Sequence, residues 1–427
     1  MAPSTTLGYA EPLDDHFGSE QFPSKIGGKP KWLDPTHPLS VDRVLCDECG
    51  KPMVMLLQLY APEDEPKDAF HRMLYVFICR NGKCHRSCAS RCMRVFRSQI
   101  PENNGLYKSD EIVAADICSS GSVCSGNSDS NEKDGDIEWV LADHVKSAPL
   151  CVVCGLLGNK ACSKCHLRHY CSRDHQITDW DSGHRTQCKS SGKQNAESAE
   201  HRRKLQRMLY PEQIIVSEEE SGDAEDDNND DGSDDDTEDN EGVKPEDMAL
   251  VPVTNERVED SEVDVDRAFL AFQNRISENP DQIIRYARSP NTNEIGEPLY
   301  VSDADKPVAG FGIPDCEHCG AVREFELQIM PQMLNHLSID SVDPFSIDWG
   351  TLLIYSCPSN CSKSSNSTTS SAETSNSTCQ NKVESSLYLS EVICRQNFSS
   401  HGIGEKYVRA MHGDNSGFEK QFDSLNI

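Results

Sequence analysis

Short, almost uninterrupted apolar runs dominate the two ends of the chain, and polar or cysteine-bearing segments separate them. The clearest runs, 54–59 and 352–355, are typical of β-strands that are buried on both faces or packed in a sandwich. Helical periodicity indicates helices in three places: residues 178–187, 200–209 and 266–287. Pro280 is expected to split the last of these. The pattern therefore predicts a mixed α+β fold in which β-structure dominates.

The two ends of the chain share an order of features that predicts one β module present in two copies, in the N-terminal and C-terminal halves. Each copy has a Cys-x2-Cys-Gly turn, two apolar runs and a further cysteine pair. In the first copy these segments are residues 46–50, 53–60, 73–78 and 79–84. In the second copy they are residues 316–320, 325–330, 349–355 and 357–361. Accidental similarity between short cysteine-rich modules is the alternative.

Two spacers have a composition that cannot build a hydrophobic core. Residues 118–136 are rich in Ser, Gly, Asn and Asp, and residues 217–241 contain fifteen acidic residues and no Lys or Arg. We therefore expect both to be disordered. A third run, rich in Ser, Thr and Asn at about 362–380, is expected to form a long loop in the last domain.

The charge balance is strongly acidic, with 41 Lys plus Arg against 71 Asp plus Glu and a formal net charge of −30. This charge disfavours binding to nucleic-acid phosphates and favours a basic partner. The acidic tract 217–241 is either a screen for that partner's basic surface or a solvated linker. The basic stretch 201–207 has three alternative roles: a phosphate-facing patch, an intramolecular counterpart of the acidic tract, and a nuclear import signal.

The cysteine content predicts zinc. The first 20 residues lack the basic start and apolar run of a signal peptide, and no stretch of about 18 apolar residues could span a bilayer. A soluble intracellular protein with no membrane partner is therefore expected. In a reducing compartment, its 20 cysteines are better explained as thiolate ligands than as disulfides.

The densest cluster of potential metal ligands lies between residues 151 and 188. It offers eight Cys and His side chains, which is enough for two tetrahedral zinc sites. Four-residue steps put Cys171 with His175, and His184 with Cys188, on one face of a helical turn, and Trp180 between them is the expected packing anchor. A segment this short cannot bury enough apolar surface to fold without metal.

We predict an interleaved pairing of these eight ligands, so that each cysteine turn is held by a helix. One site would comprise Cys151, Cys154, Cys171 and His175. The other would comprise Cys162, Cys165, His184 and Cys188.

The terminal modules predict one further zinc ion each, with buried reduced thiols as the alternative. The N-terminal ligands would be Cys46, Cys49, Cys79 and Cys84. The C-terminal ligands would be Cys316, Cys319, Cys357 and Cys361. Six cysteines fit none of these groups and are not assigned as ligands: Cys88, Cys92, Cys118, Cys124, Cys379 and Cys394.

The central segment resembles the MYND zinc finger. Its characteristic ending is matched by Tyr170, Cys171, Ser172, His175, Trp180, His184 and Cys188. MYND fingers are generally protein-interaction modules. Because every ligand position is filled, no open coordination position remains for a catalytic water.

The whole chain resembles the programmed cell death protein two family. The resemblance rests on FPSKIGGKPKWL at 22–33, on the CDECG region, on the finger, and on the C-terminal motifs NPDQIIRYAR, CEHCG, FELQIMPQML and DWGTLLIYSC. It implies a non-catalytic dedicated chaperone, which escorts a basic small-subunit ribosomal protein during 40S ribosome biogenesis. The implied client is the universal S-five class protein, called S-two in eukaryotes, and the implied location is cytoplasm and nucleus.

The alternative function is a MYND-type adaptor in transcriptional regulation or cell-death control. Such an adaptor would bind co-repressors or proline-rich peptides through the finger. An enzyme is not expected, because the chain lacks an adenosylmethionine-site Asn-His-x-Cys step, a nucleotide-binding glycine loop and a Gly-x-Ser-x-Gly elbow.

These observations together predict a division into consecutive segments. They are an N-terminal Cys-rich β module (1–117), a flexible linker (118–147), the MYND zinc finger (148–190), a basic helical segment (191–216), an acidic disordered linker (217–250) and the C-terminal family domain (251–427).

Overall fold

The computed structural model describes residues 5–13, 21–86, 88–109, 139–188, 198–220, 266–288, 296–309, 312–339, 343, 345–362 and 387–398. The first elements are β1 (Thr6–Glu11), β2 (Lys25–Ile26), β3 (Val54–Tyr60), β4 (His71–Ile78), α1 (Ala89–Cys92), β5 (Met93–Ile100) and β6 (Tyr107–Ser109). Short 3-10 turns at Val41–Val44, Lys67–Ala69 and Gly82–Arg86 connect them.

The middle of the chain is less regular. It contains β7 (Trp139–Leu141), β8 (Lys160–Ala161), β9 (His169–Tyr170), α2 (Arg173–Asp179), a π-turn (Trp180–His184), α3 (Arg185–Gln187), α4 (Ala199–Gln206) and β10 (Gln213–Glu219). The last part contains α5 (Arg267–Glu278), β11 (Ile284–Tyr286), β12 (Val308–Ala309), β13 (Gly312–Ile313), β14 (Glu324–Ile329), a 3-10 turn (Pro331–His336), β15 (Thr351–Ser356) and β16 (Leu389–Gln396).

Ten strands close into one antiparallel barrel in the order β1-β10-β2-β3-β4-β5-β16-β15-β14-β11. The fold is therefore β-dominant with few helices, as the apolar pattern predicts, and it is a barrel and not a sandwich. Both ends of the chain contribute strands, and β5 pairs with β16 where they meet, with Arg97 opposite Leu389. Closure satisfies the backbone groups along the sheet and leaves this barrel without an open edge strand.

On the other side of the barrel, strands from the N-terminal, middle and C-terminal parts of the chain are neighbours. Strand β1 pairs with β10 and with β11 of the C-terminal part, and β10 pairs with β2. The hairpins β3–β4 and β14–β15 both carry a register shift near their start, at Met55/Leu57 and Phe325/Leu327. The strand order is thus similar in the two halves, and the origin of this similarity by duplication stays a prediction.

Buried ion pairs join strands from the two ends of the chain. Arg72 on β4 is fully buried and forms a two-pronged pair with Glu326 on β14, with N–O distances of 2.5 and 2.8 Å. Glu63 lies beside this pair and binds Arg288 at 2.6 Å. A charge in a barrel core is tolerated only when it is paired and hydrogen-bonded, so these pairs fix how the two halves meet.

The central segment packs beside the barrel and shares an apolar cluster with it. All eight residues of β4 are buried, and one apolar cluster includes Phe77 of the barrel together with Val153 of the central segment. The link is the docking segment, residues 22–33, in which the Trp32 indole N–H donates to Gly155 O at 2.8 Å. A Cβ on Gly155 would lie 2.9 Å from Lys29 Cβ, so the close contact requires glycine.

All three predicted helices are present with altered bounds. The first begins earlier, at Arg173, because the Ser172 side chain accepts a hydrogen bond from His175 N and caps it. The third ends at Glu278, ahead of Pro280. Its predicted extension to 287 is wrong, because residues 284–286 form β11 between β1 and β14.

The predicted linkers begin or end at other positions than expected. Residues 139–141, assigned to a flexible linker, form β7 and pair with β6. Residues 217–219, assigned to the acidic linker, continue β10 along β1, and Glu220 forms ion pairs with Arg275 and Arg285. The remaining acidic linker, spacer 118–136 and almost all of the Ser-rich loop lie outside the described residues. Among the helices of the described ranges, none has the length and apolar character to cross a bilayer.

Candidate metal centres

The structure brings the sixteen predicted ligands together in the same four groups of four that their spacing predicts. Within each group, all ligand atoms lie within 4.8 Å of one another. We name them the N-terminal quartet (Cys46, Cys49, Cys79, Cys84), the first finger quartet (Cys151, Cys154, Cys171, His175), the second finger quartet (Cys162, Cys165, His184, Cys188) and the C-terminal quartet (Cys316, Cys319, Cys357, Cys361).

A tight turn that closes on its first cysteine recurs in all four quartets. In three of them a glycine N–H donates to the first cysteine's carbonyl: Gly50 to Cys46, Gly155 to Cys151 and Gly320 to Cys316, at 2.8, 2.9 and 2.8 Å. These glycines have φ values of 66°, 78° and 75°, which explains the Cys-x2-Cys-Gly pattern. In the fourth turn, His166 takes the glycine's place with φ 57° and donates to Cys162 O at 2.9 Å.

The first finger quartet has the spacing of a tetrahedral site. Zinc bonded to sulfur at about 2.3 Å would separate two sulfurs by about 3.8 Å. The sulfurs of Cys154 and Cys171 are 3.6 Å apart, and His175 Nδ1 lies 3.5 Å from Cys151 Sγ and 3.2 Å from Cys171 Sγ. Burial opposes protonation of His175, but its hydrogen bonds with Cys151 and Cys171 raise its pKa to about 10. The two sulfurs therefore favour the protonated, positively charged form of the His175 imidazole.

The second finger quartet is buried throughout. Cys162 Sγ and Cys188 Sγ are 3.8 Å apart, and His184 Nε2 lies 3.4 Å from Cys162 Sγ and 3.6 Å from Cys165 Sγ. Burial lowers the pKa of His184, which keeps its imidazole in the neutral form that binds metal. Burial also opposes ionisation of Cys162, but the backbone N–H groups of Cys165 and Lys164 lower its pKa.

The finger is held to α4 by a buried carboxylate. Asp179 is fully buried and accepts hydrogen bonds from Tyr170 Oη at 2.7 Å and Arg168 Nη1 at 2.9 Å. His201 of α4 reaches the same carboxylate through Nε2 at 2.8 Å. The basic stretch 201–207 is therefore anchored on the finger at its first residue, which limits the surface that it could offer to phosphates.

The terminal quartets lie where strands end. Cys79 directly follows β4 and Cys357 directly follows β15, as the prediction of strands that deliver a cysteine pair requires. In the N-terminal quartet, the sulfurs of Cys49 and Cys79 are 3.6 Å apart. In the C-terminal quartet, the separations are 3.4 Å for Cys316–Cys361, 3.5 Å for Cys319–Cys357 and 3.6 Å for Cys357–Cys361.

The backbone of the cysteine turn favours one thiolate in each terminal quartet, whereas burial raises the pKa values of the second cysteine pair in each. Burial opposes ionisation of Cys316, but N–H groups of His318 and Cys319 lower its pKa to about 7. Burial likewise opposes ionisation of Cys49, and a hydrogen bond from the Lys51 backbone lowers its pKa. Soft thiolates at these separations suit zinc, as do the mixed donors of the finger quartets.

The unassigned cysteines stay outside the quartets as far as the structure describes them. Cys88 is exposed, and Cys92 is buried but contributes its carbonyl to Cys79 N at 2.9 Å. Cys394 lies on β16. Cys118, Cys124 and Cys379 lie outside the described residues.

Sequence reasoning missed the buried ion pairs and an aromatic cleft near Trp139. Glu326 is a single charge inside the apolar run 325–330, and Arg72 directly precedes the run 73–78; a charged residue in a buried strand predicts a paired partner. The buried ion pair could therefore have been predicted from the sequence. The cleft offers no local signal, because its rings come from separate segments.

The barrel, the four quartets and the adjacent finger define a cysteine-rich zinc-finger protein. Residues 151–188 match the MYND finger. Residues 4–114 match the N-terminal domain of programmed cell death protein 2, and residues 266–396 match its C-terminal domain. The chain belongs to the programmed cell death protein 2 family.

Full-length similarity supports this membership. Programmed cell death protein 2 of Mus musculus is 36% identical over 358 residues, which cover 83% of this chain and 92% of the relative. Programmed cell death protein 2-like of Homo sapiens is 28% identical over 352 residues, covering 79% and 85%. A Schizosaccharomyces pombe protein named probable 20S rRNA accumulation protein 4 is 32% identical over 105 residues, covering 22% and 24%. No solved structure matches the chain.

Proposed function

We propose that the protein is a non-catalytic escort for a basic small-subunit ribosomal protein, the universal S-five class protein, in ribosome biogenesis in the cytoplasm and nucleus. The observation that carries the proposal is the similarity to a relative named for 20S rRNA accumulation. That name points to ribosome biogenesis. The net charge of −30 supports a client that is itself basic, because opposite net charges steer two proteins together.

An acidic groove on the barrel supports a basic client. It has a volume of about 290 Å³ and lies between β1, β10 and the end of α5. Four exposed carboxylates line it: Glu11, Glu218, Glu278 and Asp281. Tyr9 also lines the groove and donates a hydrogen bond to Asn279 Oδ1 at 3.1 Å. Carboxylates around an aromatic ring suit Arg and Lys side chains.

Zinc has a structural role in this proposal. Each quartet would hold one ion, which gives four ions per chain. All four protein ligands of each ion would be supplied by Cys or His, so zinc would hold the turns and strand ends in place. The two finger ions would keep the finger folded on the docking segment.

The first test is native mass spectrometry of the protein isolated from its own cells. Four zinc ions with one basic small-subunit ribosomal protein bound at one to one would support the escort. Two zinc ions and no ribosomal partner would confine zinc to the finger and contradict the escort. Cell fractionation followed by immunodetection of the protein tests the proposed location in cytoplasm and nucleus.

A second test changes the acidic groove. Neutralising its four carboxylates together, as Glu11→Gln, Glu218→Gln, Glu278→Gln and Asp281→Asn, should weaken client binding by about tenfold at low salt and less at high salt. The matched control neutralises four other exposed carboxylates that do not line the groove, as Glu102→Gln, Asp143→Asn, Glu297→Gln and Asp305→Asn. Equal affinity of wild type and the fourfold variant at low salt would show that the client binds another surface.

The adaptor is the second candidate function, and the finger's surface favours it. Leu150, Leu167 and Ile177 are exposed by 38%, 42% and 47%, although each is apolar. Exposed apolar side chains on an interaction finger suit a co-repressor or proline-rich peptide. Replacing these three with Ser should abolish such binding and leave client binding to the barrel unchanged. Loss of the ribosomal client in that variant would contradict a barrel-bound client.

We also propose that the two halves of the barrel derive from one duplicated module. The similar strand order and the bulged hairpins β3–β4 and β14–β15 support this. Superposing β3–β5 on β14–β16 should place the terminal quartets at equivalent positions. Quartets that do not coincide would contradict the duplication.

A further inference from the structure

A small aromatic cleft opens on the barrel beside the loop that joins β3 to β4. Its volume is about 300 Å³, at the lower end for ligand pockets, so it suits a side chain better than a cofactor. Five residues line it: Tyr60, Pro62, Asp64, Phe70 and Trp139. Three aromatic rings and one carboxylate around a small cleft form the combination that recognises organic cations.

A buried imidazole holds the three rings in place. His71 lies with its ring centroid 4.6 Å from that of Trp139 and 4.9 Å from that of Phe70, edge to face in both cases. Its Nδ1 is hydrogen-bonded to Tyr60 Oη at 2.9 Å. On its other side, Tyr60 stacks on Phe22 with centroids 5.1 Å apart. The walls of the cleft are therefore preorganised, which reduces the entropy lost when a ligand binds.

The charge of the cleft is negative at neutral pH. Burial lowers the pKa of His71 to about 4 and raises the pKa of Tyr60 to about 12, so both are neutral. Asp64 is exposed at the opening, and Glu65 next to it is exposed as well. Lys67 is the basic residue of this loop, so the loop keeps an acidic balance.

We propose that this cleft binds a methylated cationic side chain of a polypeptide, such as trimethyl-lysine or dimethyl-arginine. Aromatic faces attract cations, and methyl groups add apolar contact with the rings while the charge stays in place. An unmethylated ammonium is strongly hydrated and loses more on entering an aromatic cleft. Asp64 supplies the opposite charge. The proposal is independent of the escort function, because it concerns one modified residue on any peptide.

The test follows Trp139 directly in the full-length protein. With 5-fluorotryptophan at its four Trp positions, the protein gives one fluorine NMR signal per tryptophan, and Trp139→Phe assigns the signal of interest. Short peptides carrying lysine, trimethyl-lysine, arginine or dimethyl-arginine are titrated in turn. We expect a methylated peptide to shift the Trp139 signal and to bind at least about fivefold more tightly than its unmethylated form.

Three comparisons decide the outcome. A peptide with an uncharged isostere, in which carbon replaces the trimethyl-lysine nitrogen, should bind at least about fivefold more weakly to wild type. Trp139→Leu should lose the preference for methylation and Asp64→Asn should reduce it. The matched control is Val140→Ala, an exposed neighbour on the same strand that does not line the cleft, and it should bind as wild type does.

If the uncharged isostere binds wild type as tightly as the trimethyl-lysine peptide does, the cleft recognises apolar groups and not cations. This result alone would overturn the proposal. A Trp139 signal that none of the methylated peptides shifts would overturn it too. Preferential binding of a proline-rich peptide at Trp139 would assign the cleft to polyproline recognition instead. Native mass spectrometry of the ribosomal client is unaffected by all three results, so the two proposals fail separately.

Discussion

The finger and the barrel are built from similar cysteine turns, yet they are stabilised in different ways. The finger packs eight ligands into residues 151–188, and its two strands, β8 and β9, have two residues each. The barrel has ten strands, and β4 is buried along its whole length. Besides β8 and β9, the finger has only the short helical segments α2, the π-turn and α3, which are too short to be stable without the ligands. The barrel's quartets, in contrast, lie at the ends of strands that apolar packing already holds.

We expect the largest difference between the two regions when a finger ligand is removed. Cys171→Ser should unfold the finger, because structural zinc supplies about 10 to 16 kcal/mol of folding free energy in small fingers at neutral pH. The barrel should stay folded, since its core does not need the finger ions. Zinc content, limited proteolysis and circular dichroism of the full chain would show a loss confined to the finger.

The matched control is Cys88→Ser, because Cys88 is exposed and belongs to no quartet. This variant should keep wild-type zinc content. Cooperative unfolding of barrel and finger together in Cys171→Ser would show that the docking segment transmits stability between them. The two regions would then be one energetic unit.

Disrupting the buried pair of Arg72 and Glu326 should give the next largest effect. Replacing Arg72 with Met leaves Glu326 buried without its main partner, which should cost about 3 to 5 kcal/mol in unfolding free energy. Urea unfolding of the barrel would measure it. The zinc content of the finger should not change, since the pair lies in the other region.

The double variant Arg72→Met with Glu326→Leu tests whether the unpaired charge causes this instability. Removing both charges should recover most of the lost stability, because the pair's desolvation cost disappears with it. A double variant as unstable as Arg72→Met alone would mean that apolar side chains cannot fill this part of the barrel. The pair would then be needed for packing and not only for charge balance.

Acid should weaken the barrel through the same carboxylate. Burial raises the pKa of Glu326, but the charge of Arg72 outweighs burial and lowers the pKa from 4.5 to about 2. The folded pKa lies below the unfolded one, so its stabilisation is present above about pH 4.5 and is lost as pH falls toward 2. The loss should be about 3 kcal/mol. It is measured as the difference in pH dependence between wild type and the double variant, because carboxylates that do not contact the pair contribute equally to both proteins.

The ligand groups could be predicted from sequence, because they are local. Cys46 and Cys49, or Cys171 and His175, are three or four residues apart, and backbone geometry alone brings such pairs together. The quartets were predicted by combining successive pairs in each terminal module and alternating pairs in the finger. The strands that carry them were predicted from apolar runs such as 54–59, which lies within β3.

Closure of the barrel could not be predicted in this way. Thr6 pairs with Tyr286, and no local signal connects residues 280 positions apart. The same holds for the aromatic cleft, whose rings meet only once Trp139 of β7 has packed against Phe70 and His71. Residues 284–286 were assigned to a helix for this reason. Ile283 and Ile284 suit either structure, and the pairing of 284–286 with β1 and β14 decided between them.

The smallest predicted effect concerns the one turn of the finger that departs from the glycine pattern. His166 holds φ 57° where the other three turns have glycine, and a left-handed residue other than glycine costs about 1 to 2 kcal/mol. His166→Gly should relieve this cost. The larger unfolded-state entropy of glycine offsets part of it, by about 0.5 to 1 kcal/mol. The net gain in finger stability should therefore be at most about 1.5 kcal/mol, measured by competition for zinc with a chelator. His166→Ala keeps the backbone cost and should show no gain. A gain as large for alanine would mean that the exposed imidazole, and not the backbone, weakens this turn.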